Sequence, residues 1–237
     1  NGLINATDDG TLTLTTASSA DVFDLDGTGN GEVRATSGNI IVNGNLVPTF
    51  AGEMTIGPGH LIELNDHLRL TPAGELNLNG GATNSTAAEL RGGLLEIEGD
   101  VNVDGHGEMH GALQFDPTAV VRVNDADDRL TLGTNTDTAT FNGGTFTGDG
   151  KLIQAADLVV TAGSTLNINV GIYDWDLGSG ADLTATTLQT GASLLINVDD
   201  LNDPNDGNVT LNSNSLLSVT TDVGSWDYDG TMTFNPT

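Results

Sequence analysis

A five-residue pattern, glycine followed by two apolar residues at alternate positions, returns at Gly10, Gly31, Gly52, Gly74 and Gly93, in steps of 21, 21, 22 and 19 residues. The apolar pairs are Leu12/Leu14, Val33/Ala35, Met54/Ile56, Leu76/Leu78 and Leu95/Ile97. Apolar residues two apart put both side chains on one face of a strand. Two further beats stand between successive glycines. In residues 52–73 the three beats are Met54/Ile56, Ile62/Leu64 and Leu68/Leu70, separated by Gly57-Pro58-Gly59, Asn65-Asp66 and Thr71-Pro72. These separators are turn residues for mechanical reasons: Gly permits positive φ, Pro presets φ, and Asn and Asp close local side-chain turns.

A fixed period near 20 residues with three beats per period marks a solenoid. Leucine-rich repeats share that length, but they need denser leucine and a helical segment, and no helical pattern is present. The sequence therefore predicts an all-β, right-handed parallel β-helix with about three short strands per coil of about 20–22 residues. One solenoid domain spans 1–237, with regular coils at about 10–135 and less regular coils and a possible cap at 136–237. About 11 coils at ~4.8 Å each make a rod of roughly 50 Å. Leu12, Val33, Met54, Leu76 and Leu95 are expected to stack as one inward column, and Glu32, Glu53 and Glu75 as an outward one.

Past residue 135 the period blurs. First strands return near Leu166, Leu194 and Leu216, and the longer step between the first two implies an insertion near 171–180. The aspartate-rich stretch 199–207 reads as a surface loop. Trp226-Asp227-Tyr228 and Met232-Thr233-Phe234 read as a closing hairpin over the last coil.

The 237 residues carry a net charge of −27, with only 6 Lys and Arg. Nucleic acid requires a basic surface, so it is excluded as a partner, as is an anionic membrane surface. There is no cysteine, hence no disulfide or thiol chemistry. No run of 18 apolar residues and no signal peptide appear. The chain opens at Asn1, already in the repeat, and reads as a mature protein or a piece of a longer one.

Three stretches, DVFDLDGTGNGEV (21–33), FNGGTFTGDGKL (141–152) and YDGTMTF (228–234), join GxLxI-type beats to NGG, GDG and DGTG turns. In this the chain resembles secreted bacterial β-helix repeat proteins of the pectin-lyase-like superfold, among them autotransporter passengers and large surface adhesins. The resemblance implies an exported structural or adhesive segment of a longer cell-surface polypeptide. Polysaccharide lyases and glycoside hydrolases share the superfold, so a carbohydrate-active β-helix is the alternative. A trimeric fibre would need an outward apolar stripe, whereas the outward positions are mostly Thr, Glu, Asn and Asp.

Candidate chemistry is sparse. Polygalacturonase-type hydrolases carry Asn-Thr-Asp, Asp-Asp, Gly-His-Gly and Arg-Ile-Lys in that order. This chain has Gly105-His106-Gly107, Asp127-Asp128 and Asn135-Thr136-Asp137, in a different order and without Arg-Ile-Lys. A lyase acting on uronate polymers needs a base and a cation, and Lys151 is the only lysine. No catalytic residue and no bound cofactor other than calcium is expected. Asp24, Asp26 and Asn30 form a candidate calcium loop, with carboxylates two apart and glycines allowing a tight wrap. Asp199, Asp200, Asp203 and Asp206 form a second acidic loop. Asp104, His106, Glu108 and His110 alternate, so on one strand all four would face one side as a metal-ligand set. Possible partners are a surface polysaccharide or neighbouring domains of the same polypeptide.

Overall fold

The structure, a computed structural model, describes residues 2–16, 18, 22–25, 31–175, 185–202, 208–222 and 231–235. It is an all-β parallel solenoid of about eight turns, fewer than the 11 coils expected. The one helical element among the described residues is a 3₁₀ turn, Asn84–Thr86.

Three columns of parallel strands wind around the rod. The first sheet stacks Leu3–Asn5, Glu32–Ala35, Glu53–Ile56, Glu75–Asn79, Asp100–Asp104 and Val120–Val123. It continues through the first halves of Thr145–Gln154 and Thr165–Trp175 to Ser193–Val198 and Leu216–Thr221. Long strands such as Leu61–Leu70, Ala88–Ile97 and His106–Phe115 bend from the second sheet into the third, with a break in register where they turn.

Each sheet contributes inward columns to one continuous core. In the first sheet Val33, Met54, Leu76, Val101, Val121, Phe146, Ile168 and Ile196 follow one another in register. All of these are buried. Val33, Met54 and Leu76 thus stack as the repeat predicts. Leu12 and Leu95 do not join them. Leu12 pairs with Ile40 in the second sheet, and Leu95 lies between Leu68 and Leu113 in the third.

The recurring glycine has a steric cause. Gly31, Gly52, Gly74 and Gly99 crowd one corner of the rod. A Cβ on Gly52 would stand 1.9 Å from the Gly31 carbonyl oxygen, and one on Gly99 would stand 2.2 Å from that of Gly74. Gly93, which the spacing offered as the next member, instead abuts Asp66 inside a strand. Gly99 occupies the slot.

The third sheet carries Phe115, Phe141 and, from the neighbouring face, Phe146 into the rod's centre. The first two stack with centroids 4.9 Å apart and planes 8° from parallel.

The extra length foreseen near 171–180 falls after Trp175, and 176–184 lie outside the described residues. Asp200 is not in a loop: Asp200–Asn202 pairs with Ile172–Asp174. The closing hairpin is not what Met232–Phe234 makes. Thr231–Asn235 adds to Asn208–Asn212 as one more parallel strand, while Trp226, Asp227 and Tyr228 lie outside the described residues. Leu3, Leu216 and Phe234 are the large exposed apolar side chains among the described residues, and all three belong to the outermost strands.

Candidate functional site

Gly105 decides how the alternating stretch 104–110 is used. Its φ of +76° turns the corner between first and second sheets, and a Cβ there would stand 2.3 Å from the Gly80 carbonyl oxygen. Asp104 therefore ends the first-sheet strand Asp100–Asp104, while His106 opens His106–Phe115 in the second. The four candidate ligands are split between two sheets, and only His106, Glu108 and His110 share a strand.

On that strand, alternation sends Gly107 and Met109 inward. A Cβ on Gly107 would meet the Leu78 and Val103 side chains at 3.0 and 3.1 Å, and Met109 is fully buried. His106, Glu108 and His110 consequently face out. His106 is nonetheless only 1% exposed, because it stacks on Arg129 in the next turn and lies beneath the 80–87 loop. Burial pushes its pKa down, with Thr83 of that loop opposing. Its Nδ1 has no hydrogen-bond partner.

Glu108 and His110 are each 18% exposed, with His110 Nε2 and Glu108 Oε2 3.0 Å apart. Hydrogen bonding to His110 is the main cause that lowers the Glu108 pKa. With Glu108 ionised, that contact places a hydrogen on Nε2, and His110 Nδ1 is buried without a partner. Glu89 stands directly over Glu108 in the preceding turn, and Arg91 over His110. One side-chain donor atom from each of Glu89, Glu108 and His110 lies within 4.8 Å of the others. Arg91 Nη2 is paired to Glu89 Oε2. The structure thus joins two of the four alternating candidates to a third ligand from another turn.

Glu89 went unnoticed in sequence because it is 19 residues away from Glu108. The signal was present: written coil over coil, Ala88-Glu89-Leu90-Arg91 falls on Gly107-Glu108-Met109-His110.

Asp24 is exposed, and Asp26 and Asn30 of the candidate calcium loop lie outside the described residues. So do Asp203 and Asp206 of the second acidic stretch. Of the hydrolase-like fragments, the segments of Gly105 and Asp128 meet at one corner, while Asp137 stands at another, leading into the third sheet. Asp128 is 5% exposed, and its two oxygens accept from Gly105 N at 2.6 Å and Asp125 N at 2.8 Å. Asp137 likewise accepts from Thr134 N at 2.8 Å. These carboxylates close turns.

The outer faces carry short polar side chains in ladders. Asn102 Nδ2 donates to Asn77 Oδ1 at 3.1 Å, and Asn197 Nδ2 donates to Asn169 Oδ1 at 2.7 Å. Glu32, Glu53, Glu75 and Asp100 stack in register as an outward acidic column. Beside the later turns runs an open groove of about 410 Å³, lined by Asp149, Asn169, Asn197, Asp199 and Asp222 among others.

No protein-family model, no curated protein and no solved structure matches this chain.

Proposed function

We propose that the chain is a non-enzymatic extracellular β-helix module with a structural or adhesive role in a larger exported or cell-surface protein. One observation carries this reading: a single core, one side chain deep from each sheet, runs through the turns, so each turn is held by its neighbours alone. Such a body sets a distance and displays its faces. The outer surface suits that use. It is strongly acidic, it is built from Asn, Thr and carboxylate ladders, and its turn-closing aspartates are already committed to backbone N–H groups. The repeat and turn chemistry support placement among the pectin-lyase-like β-helices of bacterial surfaces.

The open groove beside Asn169 and Asn197 favours a second reading, a carbohydrate-active β-helix. Its amide and carboxylate groups would hydrogen-bond sugar hydroxyls. Both readings are tested by incubating the protein with pectins, alginates, chondroitin and neutral glycans while following new reducing ends and unsaturated-uronate absorbance. The module reading expects no turnover. Turnover abolished by Asp149→Asn or Asp199→Asn would establish the second.

A further inference from the structure

We propose that Glu89, Glu108 and His110 bind one divalent transition-metal ion on the outer face of the second sheet. This goes beyond the scaffold reading, which needs no ion.

Parallel stacking supplies the geometry. Register puts Glu89 over Glu108, and His110 follows two residues later on the same face. Donor atoms of the three lie within 4.8 Å of one another. Ligands about 2.1 Å from a tetrahedral ion are roughly 3.4 Å apart, so side-chain rotations of about 1 Å close the set. The strands beneath need not move.

A second observation is independent of the carboxylates. His110 Nδ1 is buried and unpartnered, and so is Nδ1 of His106, which faces the same side two residues before Glu108 and is 1% exposed. Unpaired buried polar atoms are uncommon, and each calls for a partner. One of these nitrogens, His110 Nδ1, belongs to the residue that shares the cluster with the stacked carboxylates.

The donor set selects the ion. One imidazole nitrogen with two carboxylate oxygens suits zinc, cobalt or nickel, whereas calcium takes six to eight oxygens. Arg91 is the resident competitor: its guanidinium pairs with Glu89, one of the three ligands. Metal entry exchanges one cation for another.

The test is calorimetric titration of chelator-treated protein with Zn²⁺ in excess Mg²⁺, together with the visible spectrum after Co²⁺ addition. One ion per chain is expected. Glu108→Gln and His110→Gln each weaken binding by about tenfold or more. His60→Gln leaves binding unchanged. Arg91→Gln tightens it, because the competing cation is gone, and this arm remains decisive if a ligand variant fails to melt cooperatively. Absence of Zn²⁺ binding by the native chain overturns the proposal. So does binding that survives His110→Gln, or an Arg91→Gln chain that binds no more tightly.

Discussion

Tyr173 donates its phenolic hydrogen to Gln154 Oε1 at 2.5 Å across adjacent turns, with both side chains inside the rod. The network continues: Trp175 Nε1 donates to Thr186 Oγ1 at 2.9 Å, and Gln154 Nε2 donates to the Ala156 carbonyl at 3.2 Å. Gln154 and Thr186 occupy slots that Leu132 and Leu158 fill one turn earlier. Tyr173→Phe strips one acceptor of its donor in a dry setting. It should cost about 1–3 kcal/mol, read from the urea midpoint at unchanged slope.

Met54 lies between Val33 and Leu76 and is fully buried. Met54→Ala should lose about 2–5 kcal/mol through lost contacts and the cavity left behind. Met54→Asp puts a carboxylate where no partner exists, and the chain should not give a cooperative melt. Glu53→Gln, one residue away and facing outward, is the matched control: it should still melt cooperatively, at or somewhat above the parent's temperature because it removes one charge from the outward acidic column.

The acidic column Glu32–Glu53–Glu75–Asp100 should make stability rise with ionic strength. Unit charges about 4–5 Å apart in water repel by roughly 1 kcal/mol, and added salt screens this. Amides interleave with the column: Asn102 Nδ2 donates to Glu75 Oε1 at 2.8 Å and Asn77 Nδ2 to Glu53 Oε1 at 3.3 Å. Moderate NaCl should raise the melting temperature, and calcium should raise it further. A melt insensitive to both would contradict this account of the face.

Acidification should loosen the 80–87 loop first. The folded-state pKa of His106 lies below its ordinary 6.5, so the folded chain holds the neutral ring. That preference leaves stability intact above 6.5. Stability is lost as pH falls below 6.5 toward the depressed value, because the unfolded chain takes up the proton first. Glu108, whose pKa lies below its ordinary 4.5, adds a second loss in more acid solution. His106→Gln should flatten the first limb of a stability–pH curve while leaving the second. Amide exchange in 80–87 should accelerate across the first limb in the parent only.

The architecture was legible because the period survives in residues that must be apolar or must be glycine. Val33, Met54 and Leu76 mark one face, and Gly31 and Gly52 crowd one corner where a Cβ has no room. The count of turns was less legible. Between Leu76 and Val101 the chain inserts the 80–87 loop, and period counting then mistook Gly93 for the corner glycine Gly99. The metal-ligand candidates failed in one respect for a local reason. Alternation over 104–110 assumed a straight strand, and Gly105 with φ of +76° puts Asp104 on another sheet. Glu89 was hidden for the opposite reason. Its proximity to Glu108 is a contact between turns, invisible along the chain until coils are aligned. Gln154 and Thr186 broke the apolar rule inside the core, where Tyr173 and Trp175 satisfy them.

The parallel ladders have a mechanical consequence. Backbone hydrogen bonds between turns point along the rod, so tension applied to the two ends loads them in series, and strands peel from an end instead of shearing together. Each turn contributes only ~4.8 Å of rod length. Yet the segment from Met54 to Leu76, 22 residues, can extend to roughly 75 Å once released. A pulled chain therefore lengthens more than tenfold per turn surrendered, at modest force, and behaves as an extensible tether that dissipates load in steps.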